Sequence, residues 1–204
     1  GINQIKKLSL ENGSAVNTLC NDYIIEHSIH DEKTIKQNLD LLEQCKKLGI
    51  KKYIMPFFNK SEINHNNFND FISPLEIISN IANKYDIEIS LETILTGEEL
   101  LDLLNLLNLK NVKVVYDTGN RVAFGHDLSR DIELLSDNIN HIHIKDKNVD
   151  NENVILGTGL VNFSDVFQSI ININYKGSYV FETTRGKNPL KTATYNMQLV
   201  DFFI

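Results

Sequence analysis

The sequence predicts an α/β protein in which short parallel strands alternate with helices. Six short apolar segments rich in Val and Ile recur along the 204 residues, and each is followed by a segment with helical spacing of apolar residues. Strands that read as continuous apolar runs are typical of parallel sheets covered by helices. No linker or low-complexity tract interrupts the series, so we expect a single domain over residues 1–204.

The predicted elements follow one another in a regular order. The strands are placed at residues 15–19, 52–55, 88–92, 112–117, 140–145 and 178–182. The helices are placed at residues 34–48, 74–85, 97–107, 128–136, 163–171 and 191–203, and residues 2–10 read as the tail of a further helix. The chain therefore shows six β/α units.

Local signals set several of the predicted boundaries. Gly49 follows the last apolar residue of the first long helix, where a left-handed residue is favoured. A polar loop at 59–70 precedes Ser73-Pro74, which is expected to open the second helix. Thr96 and Glu99 have the spacing of a capping box at the start of the third.

Composition and charge exclude several classes of protein. Twenty Lys and Arg against 27 Asp and Glu leave a net charge of −7, which disfavours a phosphate backbone as the main partner. No apolar run is long enough to span a bilayer, and the two cysteines support neither a disulfide framework nor a zinc knuckle. We expect a cytoplasmic protein without nucleic-acid or membrane partners.

Six strands leave two topologies open. A closed parallel barrel has eight strands and usually about 250 residues. An open doubly wound sheet fits six strands, but no glycine-rich phosphate loop follows the first predicted strand.

Four residues that can bind a metal stand at or near the carboxyl ends of four successive predicted strands. They are Glu92, Asp117, His143 and Glu182. In parallel α/β folds these ends lie on one face, and a carboxylate among apolar residues is costly unless it is paired or bound to a cation. Three carboxylates and one imidazole predict one divalent ion, Mn²⁺ first, with Mg²⁺, Co²⁺ or Zn²⁺ as the other candidates.

Three further residues are candidates for substrate binding. Lys145 lies two residues after His143 and therefore points to the same face of the strand, where it can hold a hydroxyl or a phosphate. Asn120 can bind a substrate hydroxyl or serve as a turn residue beside Gly119. Arg185 can pair with a phosphate or remain a surface residue.

Two nearby loops are read as structural. Asp146 is expected to point away from the pocket toward a structural partner, and Gly157 and Gly159 belong to an ordinary loop unless their amides approach a ligand. His126 is interpreted as a loop residue.

Six motifs carry a family resemblance: VNTLCNDYI (16–24), ISLET (89–93), VVYDTGN (114–120), HIHIKDK (141–147), LGTGLVNF (156–163) and YKGSYVFET (175–183). With them the chain resembles the xylose-isomerase-like sugar phosphate isomerase/epimerase family of metal-dependent TIM barrels, within the AP endonuclease family 2 superfamily. The resemblance implies a (β/α)8 fold in which the ligands Glu92, Asp117, His143 and Glu182 come from the fifth to the eighth strand. The first two strands are then missing from this sequence. The chain is either a fragment of a longer protein, which we expect, or a natural truncation.

The resemblance also implies a reaction. Glu92 and Glu182 would act as the acid and base that move a proton through an enediolate of a sugar or sugar phosphate, while Asp117 and His143 serve as ligands only. The result would be epimerisation or aldose–ketose isomerisation, and barrels of this type often form homo-oligomers.

Three alternatives remain open at this point. A ketoinositol-type dehydratase would use a similar metal site, and a barrel without two strands can be a non-catalytic fragment. An enzyme resembling endonuclease IV is disfavoured, because Asn120 stands where that group has a histidine and the net charge of −7 does not suit a DNA groove.

Overall fold

The computed structural model describes residues 1–204 and confirms the α/β fold. Six parallel strands form one sheet in the order β1-β2-β3-β4-β5-β6. The strands are β1 (Thr18–Cys20), β2 (Lys52–Pro56), β3 (Glu88–Glu92), β4 (Val112–Asp117), β5 (Ile139–Ile144) and β6 (Ser178–Phe181). The helices are α1 (Ile2–Glu11), α2 (Tyr23–Glu26), α3 (Glu32–Leu48), α4 (Phe68–Lys84), α5 (Gly97–Leu107), α6 (Thr118–Ala123), α7 (Leu128–Leu135), α8 (Phe163–Asn172) and α9 (Pro189–Phe203).

The first of two compact units comprises Gly1–Thr93 and Asp102–Val114. It contains β1, β2, β3 and the first half of β4, each paired in parallel with the next. Apolar side chains such as Ile54, Ile78 and Ile89 are buried in its core. A polar core contact also occurs here, since the Tyr53 hydroxyl donates to Asn38 Oδ1 over 2.8 Å.

The second unit comprises Ile94–Leu101 and Val115–Ile204. It contains the second half of β4 together with β5 and β6, and β5 pairs in parallel with β6. Ile142 and Ile144 are fully buried, as are Phe167 and Ile170 of α8. None of the helices in the chain has the length and apolar character of a membrane span.

Two of the predicted boundaries are confirmed in detail. Gly49 ends α3 with a φ of 78°, in the left-handed region that other residues resist. Thr96 and Glu99 form the capping box: the Glu99 carboxylate accepts from the Thr96 amide, and the Glu99 amide donates to the Thr96 hydroxyl.

Other predicted boundaries are wrong. The helix placed at 74–85 begins at Phe68, so Pro74 lies inside it. Phe68 and Phe71 are buried, and this burial extends the helix into the loop predicted at 59–70. The first strand is Thr18–Cys20 rather than 15–19, and α6 occupies part of the segment predicted as a loop.

Candidate metal centre

Each predicted metal-binding residue stands where a strand ends. Glu92 and Asp117 are the last residues of β3 and β4, and Glu182 directly follows β6. His143 lies one residue before the end of β5. Glu92, Asp117 and His143 are buried, whereas the side chain of Glu182 is 48% exposed.

The four residues bring their ligand atoms together. One donor atom from each of Glu92, Asp117, His143 and Glu182 can be chosen so that all four lie within 4.8 Å of one another. Within the second unit, His143 Nδ1 lies 3.0 Å from Glu182 Oε2 and 3.6 Å from Asp117 Oδ2. The predicted cluster is therefore formed, and it could hold a metal ion.

The geometry of the cluster fits a divalent ion. Protein oxygen and nitrogen ligands stand about 2.0–2.2 Å from such an ion, which places opposite ligands roughly 4.0–4.4 Å apart. A group of donors within 4.8 Å needs only a small contraction to reach this spacing. Three carboxylates and one imidazole also match the ligand preference of Mn²⁺, Mg²⁺ and similar ions.

The Asp117 carboxylate is also the N-cap of α6. Its Oδ1 accepts from the backbone amide of Asn120 over 2.7 Å and so caps the N-terminus of α6. This bond orients the carboxylate and leaves Oδ2 toward His143 and Lys145.

Lys145 lies beside the cluster, as its spacing from His143 predicted. Its ammonium Nζ is 2.8 Å from Glu182 Oε1 and 3.2 Å from Asp117 Oδ2. Burial would lower the pKa of Lys145, but the charges of Asp117 and Glu182 outweigh it and raise that pKa above the ordinary value.

The pKa of Glu182 responds to the same neighbours. Burial would raise it, but hydrogen bonds from His143 and Lys145, together with their charges, lower the pKa of Glu182 to about 2.

The two other predicted substrate-binding residues, Asn120 and Arg185, lie in different surroundings. Asn120 lies in the first turn of α6, and its side-chain oxygen accepts from Lys145 Nζ over 3.4 Å, so it lies beside the cluster. Arg185 lies between β6 and α9 with an exposed side chain, and its carbonyl accepts from the Thr192 hydroxyl.

Asp146 has the structural partner that was expected. It is fully buried, and its carboxylate accepts from the backbone amides of Gly157, Gly159 and Val161 over 2.8–3.1 Å. A Cβ on Gly159 would lie 2.3 Å from Asp146 Oδ1, so only glycine allows this approach. The amides of the glycine loop bind this carboxylate.

A buried ionic cluster in the second unit has no counterpart in the sequence prediction. Arg121 Nη1 donates to Asp131 Oδ2 over 3.0 Å and to the Leu95 carbonyl over 2.9 Å, and His126 Nδ1 lies 3.3 Å from the same Asp131 oxygen. Its members are separated by five and ten residues and match no motif. The apolar residues Val122 and Ile132, which directly follow Arg121 and Asp131, were the one available hint.

Together, the parallel α/β fold and the carboxylate–imidazole cluster at its strand ends define a TIM-barrel-type protein with a cluster that could hold a metal ion. The chain belongs to the xylose isomerase-like TIM barrel family, whose model matches residues 1–201. This finding confirms the family resemblance and the fold class.

Two curated relatives match part of the chain. An uncharacterized protein of Methanocaldococcus jannaschii, MJ1311, is 29% identical over 143 residues, which are 65% of this chain and 47% of that protein. SgbU of Escherichia coli, provisionally named an L-ribulose-5-phosphate 3-epimerase, is 32% identical over 83 residues, 36% of this chain and 29% of that protein. The match thus spans less than half the length of either relative.

Solved structures share the fold over nearly the whole chain. A xylose isomerase domain protein from Planctomyces limnophilus superposes with a TM-score of 0.84 at 14% identity, covering 99% of this chain and 82% of that one. The 3-keto-D-glucoside 4-epimerase YcjR of E. coli gives 0.81 at 19% identity, covering 98% and 84%. A xylose isomerase-like TIM barrel protein from Mycobacterium smegmatis, solved with magnesium, gives 0.78 at 14% identity, covering 99% and 77%. At these identities the likeness shows the fold.

Proposed function

We propose that this chain carries the metal centre of a sugar or sugar-phosphate epimerase or isomerase. The observation that supports it best is the cluster of Glu92, Asp117, His143 and Glu182, whose donor atoms lie within 4.8 Å. Related proteins named as epimerases act on a keto-glucoside and, by provisional name, on ribulose 5-phosphate. These are sugars with a carbonyl near the carbon that is inverted.

The metal and the two glutamates would divide the work. A bound divalent ion, Mn²⁺ or Mg²⁺, supplies positive charge that polarises a sugar carbonyl and stabilises the charge that develops on its oxygen. Asp117 and His143 hold that ion, and the α6 cap keeps Asp117 oriented. One of Glu92 and Glu182 takes the proton from the carbon beside the carbonyl, and the other returns a proton from the opposite side.

Return of the proton to the same carbon from the opposite face inverts that carbon, which is epimerisation. Return to the neighbouring carbon exchanges ketose and aldose, which is isomerisation. Lys145 and Asn120 lie beside the carboxylates and would bind hydroxyl or phosphate oxygens of the substrate, and Arg185 would reach a phosphate from the loop after β6.

The experiment is a screen of ketoses and ketose phosphates with Mn²⁺ in D₂O, followed by NMR. We expect deuterium at the inverted or transferred position, abolished by chelation and reduced at least about 10²-fold in both Glu92→Gln and Glu182→Gln. The matched control is Glu152→Gln, in an exposed loop. Loss of water from the substrate would instead support a dehydratase, and no exchange with any substrate despite bound metal would support a non-catalytic domain.

A further inference from the structure

The proposed chemistry of the candidate metal centre does not explain why Lys145 contacts two of its carboxylates. The Lys145 ammonium lies against two of the four predicted metal-binding side chains, 3.2 Å from Asp117 Oδ2 and 2.8 Å from Glu182 Oε1. The same two carboxylates contact His143 Nδ1, through Asp117 Oδ2 and Glu182 Oε2. Lys145 therefore touches the carboxylates that a metal ion would use.

The fold holds this lysine in place. Its side chain is 6% exposed. Its backbone amide donates to the Thr118 hydroxyl over 3.0 Å, and that hydroxyl donates to the Lys145 carbonyl over 2.6 Å. A lysine normally loses considerable rotamer entropy when it is fixed, so this fixed position depends on its surroundings.

Gly119 provides the space for the lysine side chain. A Cβ at position 119 would lie 2.5 Å from Lys145 Cγ and 2.9 Å from Cβ and Cδ. Contacts this short with the stem of the side chain, near its own backbone, cannot be relieved by moving only its tip. The glycine of the DTGN motif thus makes room for Lys145 beside the carboxylates.

The charges explain what the lysine does there. Glu92, Asp117 and Glu182 bring three negatively charged carboxylates to the site. Like charges at such spacing repel strongly when they are partly buried, and one ammonium group reduces that repulsion. The same ammonium repels a divalent cation that approaches the carboxylates, so it stabilises the metal-free site and weakens metal binding.

We propose that Lys145 is a built-in counter-cation of the metal centre, which keeps Asp117 and Glu182 in place without metal and lowers the affinity of the site for a divalent ion. This inference rests on the metal centre of the proposed function and not on the identity of the sugar. It assigns to Lys145 a positioning role in addition to its predicted contact with substrate.

The test compares Lys145→Met with Lys147→Met. Lys147 lies two residues further on, and its Nζ bonds to Asn151 Oδ1. Its charge acts on Asp117 and Glu182 only from a distance, so its loss removes the same charge without removing a hydrogen bond to either carboxylate. For each chelator-treated protein, Mn²⁺ affinity is measured by calorimetry and Tm by thermal unfolding, with and without Mn²⁺.

We expect Lys145→Met to bind Mn²⁺ about tenfold more tightly than wild type, or about 1.4 kcal/mol, while its metal-free Tm falls. Lys147→Met should change the Mn²⁺ affinity and the metal-free Tm much less. A purely structural lysine would lower stability and affinity together, so the opposite directions identify the proposed role. Lys145→Gln is neutral but still donates a hydrogen bond, and it should also bind Mn²⁺ more tightly than wild type. It replaces Lys145→Met in the test if the methionine variant does not fold.

Two results would overturn the proposal in distinguishable ways. If wild type binds Mn²⁺ but neither Lys145 variant binds it more tightly than Lys147→Met, the counter-cation role is wrong and the metal centre stands. If wild type itself binds no Mn²⁺, both the metal centre and the role of Lys145 are wrong.

Discussion

The buried ion pair of Arg121 and Asp131 offers a stability prediction with a calculable size. Both residues are at most 4% exposed, and the Asp131 carboxylate also accepts from the Gly97 amide over 3.1 Å. Asp131→Asn removes the negative charge and leaves the Arg121 guanidinium buried without compensation. Breaking one side of a buried pair costs about 3–5 kcal/mol, so we expect a loss of that size in the free energy of unfolding.

Equilibrium unfolding in urea measures this loss. Asp127→Asn is the matched control, because Asp127 caps α7 from an exposed position and asparagine caps equally well. The double variant Arg121→Met/Asp131→Leu should recover most of the loss, since it leaves no buried charge. A loss below about 1 kcal/mol for Asp131→Asn would refute this reasoning.

The pH dependence follows from the same carboxylate. Burial would raise the pKa of Asp131, but the His126 hydrogen bond and the Arg121 charge lower it below the ordinary value. A carboxyl pKa that is lower in the folded protein stabilises the fold above the unfolded pKa, and this contribution is lost as the pH falls through the folded pKa. Wild type should therefore lose more stability than Asp131→Asn as the pH falls below about 4.

Three further substitutions have defined outcomes. Asp146→Asn removes the charged acceptor of three amides, so the free energy of unfolding should fall by about 2–4 kcal/mol. Hydrogen exchange of the Gly157, Gly159 and Val161 amides should accelerate, and unchanged exchange would contradict this prediction. Gly49→Ala should cost about 1–2 kcal/mol in urea unfolding from strain alone, since φ is 78° and a Cβ there meets no atom within 4 Å. Thr96→Ala should cost about 1 kcal/mol by loss of the capping box, and an unchanged unfolding midpoint would count against the cap.

Much of the fold and of the candidate metal centre was predictable because the signals are local. Strand ends at Glu92 and Asp117 follow from apolar runs that stop at a carboxylate, and the alternation of side chains places Lys145 on the same side as His143. Parallel strands then bring their carboxyl ends to one face. The positions of Glu182 and His143 beside Lys145 follow from that arrangement.

The features that sequence reasoning missed depend on a helix cap, on burial, or on contacts distant in the chain. The segment Thr118-Gly119-Asn120 contains turn-forming residues, yet it begins α6 because the Asp117 carboxylate caps it. A proline usually lies in the first turn of a helix. Here the burial of Phe68 and Phe71 extends α4 toward its N-terminus, so Pro74 lies inside the helix. Arg121 finds its partners at Leu95 and Asp131, which no spacing rule connects.

Calorimetric titration of the chelator-treated chain with Mn²⁺ tests the central claim most directly, with variants at each proposed ligand. We expect one ion per chain in wild type and in the control Glu88→Gln, which lies at the opposite end of β3 from Glu92. Binding should weaken at least about tenfold in each of Glu92→Gln, Asp117→Asn, His143→Ala and Glu182→Gln. Equal binding by wild type and these four variants would contradict the metal centre.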